Sequence, residues 1–420
     1  VALRMKTSLE PQPEFLTLPW SLPLEEWPDE LAVRLPRGRH RHVVRFIEFE
    51  GSYFALKELE PRLADREFNV LDYLKEEGLP VVDLVGVADG RATADGEKLD
   101  SILVTRHLPY SLPYLHLFAA EAYPGLHVQL IDALAILLAQ LHLNGVFWGD
   151  CSLGNALFRR DAGALVAYIV DTETAEVHPN IGDGRRQQDL DIAVENLAGG
   201  LFELEAMGQF PEDLDPVELV HLLQDRYDEL WAELTREDEI GTDELWRIRY
   251  RLNRLNDLGF DTDEIELIET GGANRVVFRP RVVEEGHHRR ELEKLTGIVA
   301  EENQARRLLS AIHGYGAWLA HEDGRKLPDA IVGFRWLTER FEPTIAAVPD
   351  ELRGKLVDAE LYHHVLDHQW YLSEDAGTDV GLDVAVQDYI ANVLTRLPEE
   401  RTVLLAADTD DDQITAVVEA

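Results

Sequence analysis

The feature that most constrains the fold is a spaced set of polar residues between a long apolar segment and a short strand-like run. The apolar helical pattern Leu126–Leu143 comes first, and Asp150 follows it, with Asn155 five residues later. Asp171 then stands directly after the strand-like run Ala167–Val170. A carboxylate, a carboxamide and a second carboxylate in this order are the residue types of a phosphotransfer site.

The chemistry explains why these three residue types are needed. The first Asp accepts or orients the proton of the attacking hydroxyl, while an amide oxygen and a second carboxylate bind the metal ion that bridges the nucleotide phosphates. We therefore predict Asp150, Asn155 and Asp171 as the catalytic set, Asn155 and Asp171 as the metal ligands, and ATP and Mg²⁺ as cofactors. The alternative is that they are polar residues in ordinary turns.

The chain upstream of this set predicts a β-rich lobe. Pro61 opens a helical pattern between the third and fourth of five apolar runs. The strand-like runs are Leu31–Leu35, His42–Phe49, Ser52–Leu59, Val81–Val87 and Ser101–Thr105. Helices predicted over Asp189–Met207 and Pro216–Leu234 then indicate a helix-rich second lobe.

The second half of the chain changes character at an acidic segment near residues 236–243. The predicted strands here are Ile265–Glu269 and Arg275–Val283. The predicted helices are Asp243–Leu258, Glu291–Leu295, Glu301–Ala317, Ile331–Glu339, Glu351–Ser373 and Val384–Arg396. The predicted division is an N-terminal arm (1–30), a bilobal domain (31–235, with lobes 31–107 and 108–235), a mostly helical domain (236–400) and an acidic tail (401–420).

These motifs resemble the protein-kinase superfamily, in its lipopolysaccharide-kinase-like, small-molecule-kinase branch. In that branch Gly-Asp stands where eukaryotic kinases have Arg-Asp, and Asp-x-Glu stands where they have Asp-Phe-Gly, as Gly149-Asp150 and Asp171-Thr172-Glu173 do here. The resemblance covers residues 31–207, and the whole chain resembles a mostly actinobacterial family with a C-terminal domain of unknown function. It implies an α+β, bilobal protein-kinase-like fold followed by a mostly helical C-terminal domain.

The resemblance also implies roles for residues outside the loop. Lys57 matches the strand lysine that pairs with nucleotide phosphates, and Glu67 matches the helix acid that holds it. Glu58, Glu60 and Asp65 compete with Glu67 for this role. Either Asp189 or Asp191 matches the acid that braces the catalytic loop, the alternative being a solvated helix acid.

The first hairpin lacks the Gly-rich phosphate cover of protein kinases. A basic loop stands there instead, with Arg37, Arg39 and Arg41 in a stretch that also contains His40 and His42. Because Arg makes bidentate contacts to phosphate, we predict that these arginines bind the nucleotide. The alternatives are a loop that binds the acceptor and a solvated loop paired with acids.

A second basic cluster, Gly286–Arg290, lies just before a predicted helix in the C-terminal half. Its four cationic or titratable side chains could hold an anion near the helix N-terminus. Surface ion pairs with the many acids are the alternative, and adjacent histidines without cysteines disfavour zinc.

The net charge of −40 repels nucleic acid and anionic membranes. The stretch Leu130–Leu143 carries polar groups and is short for a bilayer, so we expect no membrane span. The single cysteine, Cys151, excludes an intrachain disulfide, and we expect it to be structural and partly buried. These features favour a cytoplasmic protein.

Three functions fit this sequence. The first is an ATP- and Mg²⁺-dependent phosphotransferase acting on a hydroxyl of an unidentified small molecule, glycan or protein. The second is a catalytically silent kinase-fold nucleotide-binding or regulatory protein, and the third is a nucleotidyl-transferase on the same fold. The C-terminal domain is a candidate site for a protein partner.

Overall fold

The structure is a computed structural model. It describes residues 3–7, 15, 17–33, 35, 42–49, 51–109, 111–113, 125–152, 154–211, 214–235, 238–241, 264–269, 275–281, 286–323, 325 and 327–397. Of these, 112–113, 238–241, 264–269, 275–281 and 322–323 are described by their backbone alone. The arginines of the first basic loop, the predicted helix Asp243–Leu258 and the acidic tail lie outside the described residues.

The first lobe is a five-stranded antiparallel sheet in the strand order β1-β4-β5-β3-β2. The strands are β1 (Arg4–Thr7), β2 (Val44–Phe49), β3 (Ser52–Leu59), β4 (Leu84–Asp89) and β5 (Ser101–Arg106). Four of these five were predicted, including the β2–β3 hairpin with Gly51 at a positive φ of 74° in its turn. The fifth predicted run is reduced to a single bridge between Val33 and Phe46.

Strand β1 was not predicted, because its four residues were assigned to the irregular arm. Its backbone pairs with β4, so its register is set by main-chain hydrogen bonds rather than by an apolar pattern. The Lys6 ammonium contacts the Asn69 side chain at 2.8 Å and lies over the Phe68 ring. Both contacts join β1 to the helix that follows β3.

That helix, α1 (Pro61–Glu76), starts with proline at its first turn, as predicted. Its buried face carries Ala64, Glu67, Phe68 and Leu71, a spacing of three and four residues that fits a helix packed on a sheet. The one acid on this apolar face is therefore aimed at the sheet rather than at solvent.

The second lobe is built around α2 (Leu126–Leu143). This helix has 18 residues and is long and apolar enough, by length and composition, to cross a membrane, contrary to the expectation from the shorter stretch Leu130–Leu143. Within the protein, however, 67% of it is buried. It packs in one hydrophobic core with Leu190 and Leu197 of α3 (Asp183–Ala206) and Leu223 of α4 (Pro216–Thr235).

Short strands line the junction between the two lobes. They are β6 (Leu112–Pro113), β7 (Val146–Phe147), β8 (Ala156–Asp161), β9 (Ala164–Ile169) and β10 (Glu176–Val177). Strands β8 and β9 form a hairpin whose ends meet as the pair Ala156 and Ile169. Antiparallel pairing thereby brings the residue before β8, Asn155, and the region after β9 to the same end of the hairpin.

The C-terminal part contains a three-stranded sheet and helices, which confirms the mostly helical prediction. The elements are β11 (Asp238–Gly241), β12 (Glu264–Glu269), β13 (Arg275–Arg281), α5 (His287–Thr296), α6 (Glu302–Asp323), α7 (Asp329–Trp336), α8 (Glu342–Ala346), α9 (Asp358–Ala376) and α10 (Leu382–Asn392). The predicted helix Glu351–Ser373 is wrong at its start. Gly354 has a φ of 95° there, so the helix begins only at Asp358.

The β8–β9 hairpin joins the two halves of the protein. Its Asp161 accepts hydrogen bonds from the backbone N–H groups of Asn303 and Gln304, in the first turn of α6, at 3.0 and 2.7 Å. A carboxylate is well placed at a helix N-terminus, where the first N–H groups have no partner in the helix. The hairpin that carries Asn155 at its base is thus attached at its tip to the C-terminal domain.

Candidate active site

The β3 lysine and two acids meet at the centre of the site. The Lys57 Nζ atom lies 3.1 Å from a carboxylate oxygen of Glu67 and 2.8 Å from one of Asp171. Lys57 lies on β3 and Glu67 on α1, both in the first lobe. Asp171 follows the end of β9 in the second lobe. Of the four acids considered for this pairing, the structure places Glu67 against the lysine.

The electrostatics of this group follow from its burial. Burial lowers the pKa of Lys57, but the charges of Glu67 and Asp171 outweigh burial and hold that pKa above its ordinary value. Burial also raises the pKa of Glu67 to about 7, against the opposing effect of Lys57. The ammonium is therefore charged at neutral pH, and Glu67 is the acid that titrates near neutrality.

A third acid, Glu173, completes the ring around the lysine at 3.8 Å. Its backbone N–H donates to Asp171 at 2.9 Å, and its carboxylate lies 2.9 Å from His42 Nε2. His42 is the last residue of the basic stretch. This contact places the described end of that stretch at the Asp-x-Glu motif.

The loop predicted to be catalytic holds the Asp150 carboxylate between the side-chain amides of Asn155 and Asn196. The Asn155 side-chain Nδ2 donates to Asp150 Oδ2 at 3.1 Å and to the Asp150 carbonyl at 3.0 Å. Asn196 on α3 donates to the other carboxylate oxygen at 3.2 Å. Because Asn155 donates through its nitrogen, its Oδ1 remains as the side-chain atom able to bind a cation.

A buried carboxylate braces the start of this loop. Asp189 is fully buried and accepts hydrogen bonds from the backbone N–H groups of Trp148 and Gly149 at 2.6 and 2.8 Å. His142 Nε2 lies 3.0 Å from the same carboxylate. Of the two alternatives, the structure thus gives the bracing position to Asp189, whereas Asp191 lies exposed and accepts from Gln187 at 3.0 Å.

Gly149 is required by the shape of the loop. Its φ is 77°, a region that side-chain-bearing residues avoid. A Cβ atom there would lie 2.8 Å from the Phe147 ring and 3.3 Å from the Thr174 carbonyl oxygen. The Gly-Asp pair of the motif is therefore a backbone requirement as well as a family resemblance.

The predicted site residues fall into two groups. The structure joins Lys57 with Glu67 and Asp171, and Asp150 with Asn155, and the Val170 N–H, next to Asp171, donates to the Asn155 carbonyl at 3.0 Å. Arg37, Arg39 and Arg41 lie outside the described residues, so their role stays a prediction. Cys151 is buried, and burial raises the pKa of its thiol well above the ordinary value, as expected of a structural cysteine.

Two functional positions were not predicted from the sequence. Asn196 and His142 lie 46 residues after Asp150 and 47 residues before Asp189, the partners that they contact. Neither belongs to the spaced set around residue 150. A polar residue on the apolar pattern of α2 was the signal that could have identified His142.

The protein offers few side chains to a metal ion. Among the described residues, no group of three or more His, Cys, Asp or Glu side chains is placed to hold one. Mg²⁺ in a phosphotransfer site does not need such a group, since phosphate oxygens and water supply most of its ligands. Around Lys57, the carboxylates of Glu67, Asp171 and Glu173 outnumber the single ammonium, so a divalent cation fits the charge of this site.

The β-rich lobe, the lysine–acid pair and the predicted catalytic loop are the features of a protein-kinase-like fold. Residues 40–195 match the lipopolysaccharide kinase (Kdo/WaaP) family, which confirms the resemblance inferred from the sequence. Residues 229–394 match a domain of unknown function, DUF4032. These two matches cover separate parts of the chain.

Comparison with solved structures finds WaaP in complex with acyl carrier protein. It is 19% identical in sequence and covers 61% of this chain and 99% of its own, with a TM-score of 0.36. No curated protein matches the chain.

Proposed function

We propose that this protein is an ATP- and Mg²⁺-dependent kinase that phosphorylates a hydroxyl group of a small molecule, a glycan or a protein. The observation that carries the proposal is the contact of Lys57 with both Glu67 and Asp171, beside the segment that carries Asp150 and Asn155. In this arrangement Lys57 binds the α- and β-phosphates, and Glu67 keeps the ammonium in place.

Asp150 is the residue that receives the acceptor. Its carboxylate is fixed at both oxygens by Asn155 and Asn196, so it is oriented before the hydroxyl arrives. It holds or accepts the hydroxyl proton as the oxygen attacks the γ-phosphorus, and the bond to the β-phosphate oxygen breaks. Asn155 Oδ1 and the Asp171 carboxylate would hold Mg²⁺, which neutralises charge on the transferring phosphoryl group.

The cellular location and the partners of the protein are inferred from the same proposal. We infer a cytoplasmic enzyme, because its one cysteine is a buried free thiol and ATP is its phosphoryl donor. The C-terminal domain is assigned to recognition of the acceptor or of a protein partner. Its attachment to the tip of the β8–β9 hairpin, whose other end carries Asn155, supports a role that is linked to the site through this hairpin.

Thermal unfolding with ATP, with and without Mg²⁺, tests nucleotide binding first. ATPase and autophosphorylation assays then compare the wild type with Asp150→Ala. We expect ATP·Mg²⁺ to raise the melting temperature of both proteins, and turnover to fall by roughly a hundredfold or more in the variant, because it lacks the group that positions the hydroxyl.

Other outcomes identify the alternatives. Metal-dependent binding without turnover would indicate a silent nucleotide-binding protein. An adenylylated product, seen as an added AMP mass, would indicate a nucleotidyl-transferase. Absence of any ATP effect on the melting temperature would contradict the proposal.

A further inference from the structure

A cavity of about 540 Å³ lies between the kinase-like lobes and the C-terminal domain. Its walls come from the loop between α1 and β4, the segment after β5, helix α2, the β8–β9 hairpin and the start of α5 and α6. None of Lys57, Asp150, Asn155 and Asp171 lines it. Its volume is that of a small-molecule site, and such sites favour domain interfaces.

One side of the cavity is apolar. The α2 face contributes Ala133, Ile136 and Leu137, and Pro80 and Leu165 extend the same surface. A ligand body placed here would bury hydrocarbon or aromatic surface, which favours binding.

Guanidinium groups also line the cavity. They belong to Arg106, Arg159, Arg289 and Arg290. The Nε atoms of Arg106 and Arg159 are buried and have no hydrogen-bond partner among the residues that the structure describes. Buried donors of this kind require an acceptor, because leaving them unpaired costs free energy.

The acids in the wall do not supply that acceptor. Glu301 is engaged by Arg159 at 2.7 Å, and Glu302 by His288 at 2.9 Å. Asp83 is engaged by Lys75 at 3.0 Å and Asp161 by the first turn of α6. The remaining acid, Glu293, lies on the exposed face of α5.

Two arginines are therefore left for a ligand. Within the part of the chain that the structure describes, the side chains of Arg106 and Arg289 make no direct ion pair, although, against the effect of burial, the charges of Glu301, Glu302 and Asp83 raise the pKa of Arg289 and keep it protonated. Burial lowers the pKa of the neighbouring His107 to about 4, so this residue is a neutral hydrogen-bonding group at neutral pH. The donors that the described part of this wall leaves without an acceptor are the Nε atoms of Arg106 and Arg159.

We propose that this cavity binds a small organic anion, with its carboxylate or phosphate head at Arg106 and Arg289 and its apolar body against α2. The second basic cluster of the sequence, Gly286–Arg290, then contributes Arg289 to an anion site that spans two domains. This assignment does not rest on the proposed kinase activity, because the cavity lies outside the catalytic cleft.

Isothermal titration calorimetry on the full chain tests the proposal with three probes that share one apolar body: octanoate, octyl phosphate and octanol. We expect both anions to bind and octanol to bind at least about tenfold more weakly, since it lacks the charge-assisted contacts. The stronger anion identifies the head group. Equal binding of octanol, or no binding of either anion, would overturn the assignment.

Two substitutions locate the site. Arg106→Gln and Arg289→Gln should each weaken anion binding by roughly tenfold and leave octanol binding unchanged. Arg353→Gln is the matched control, because Arg353 is half exposed and pairs with Asp350 at 2.9 Å on the C-terminal domain. Anion binding that survives both cavity substitutions, or that falls equally in the control, would place the probe elsewhere.

A third variant addresses the apolar side. Ile136→Trp should fill the space next to α2 and abolish binding of all three probes. If Ile136→Trp does not fold, the arginine variants still decide the question. The ATP·Mg²⁺ shift in melting temperature, measured on Arg289→Gln, separates this site from the catalytic cleft, since loss of the anion with retention of the nucleotide is expected.

Discussion

The Glu360 carboxylate on α9 accepts hydrogen bonds from the backbone N–H groups of Gly163 and Ala162, each at 2.7 Å. These two residues form the tip of the β8–β9 hairpin, where Ala162 has a positive φ of 54°. The acid thus satisfies two donors of a tight turn from the other half of the protein. In the other direction, Asp161 of the hairpin accepts hydrogen bonds from the first turn of α6. Each domain thus supplies a carboxylate to backbone N–H groups of the other, and these contacts form the junction between the two domains.

Replacement of Glu360 by Gln should destabilise this junction. Burial raises the pKa of Glu360, but hydrogen bonds and the charge of His364 outweigh burial and bring it to about 2. Because the folded pKa lies below the ordinary value, the carboxylate stabilises the fold above about pH 4.5, and this contribution is lost as the pH falls toward 2. Glu360→Gln should therefore cost about 2 kcal/mol at neutral pH and much less in acid. Thermal unfolding at several pH values measures this.

The exposed acid Glu351 is the control for charge. Glu351→Gln should change the free energy of unfolding by less than about 0.5 kcal/mol. Equal effects of the two substitutions at neutral pH would show that the junction does not contribute to stability.

Asp161 should show the opposite pH dependence. Burial and the neighbouring charge of Glu301 raise the pKa of Asp161 to about 7 from an ordinary value of 3.8. The folded protein then binds more protons than the unfolded chain between these values, so the contribution of this acid to stability falls as the pH rises from about 4 to 7. Asp161→Asn removes the titration. From about pH 4 to pH 7, the free energy of unfolding of the wild type, relative to that of Asp161→Asn, should fall by on the order of 3 kcal/mol. A constant difference would contradict the raised pKa.

The centre of the site could be predicted from the sequence because its geometry is local. Antiparallel pairing of β8 with β9 brings the residues flanking one hairpin, Asn155 and Asp171, to the same end, so spacing alone indicates their proximity. The position of Glu67 was also encoded, since it shares the buried face of α1 with Phe68 and Leu71. The sequence did not single out Glu67, because Glu58, Glu60 and Asp65 lie close to it in the chain.

The contacts between distant segments could not be predicted in the same way. Glu360 reaches Gly163 across 197 residues, and the chain has 80 acidic residues from which to choose. No pattern of spacing separates a buried acid on α9 from its solvated neighbours. Such contacts follow from how the domains pack, which a local motif does not report.

Loss of Asp189 should disrupt the backbone at Trp148 and Gly149, where the predicted catalytic loop starts. Its carboxylate satisfies two backbone N–H groups and His142 in a fully buried position. Asp189→Ala leaves these donors unpaired and should cost about 3 to 5 kcal/mol. Asp191→Ala, two residues later on the exposed face of the same helix, should cost less than about 0.5 kcal/mol. Thermal unfolding of the two variants side by side checks the assignment of the bracing acid, and similar losses would refute it.

Replacement of Lys57 by Met should affect both stability and nucleotide binding. Lys57 is the cation between Glu67 and Asp171, and Glu67 is almost fully buried. Removal of the ammonium leaves these carboxylates without their partner, which should cost about 3 to 5 kcal/mol, as for a broken buried ion pair.

Lys75→Met is the matched control for this substitution. Lys75 pairs with Asp83 at 3.0 Å, but both side chains are substantially exposed, and such a pair contributes only about 0 to 1 kcal/mol. We expect Lys57→Met to lower the melting temperature strongly and to lose the stabilisation by ATP·Mg²⁺, whereas Lys75→Met keeps both. A Lys57→Met protein that is destabilised yet still stabilised by ATP·Mg²⁺ would show that the lysine supports the fold without binding the phosphates.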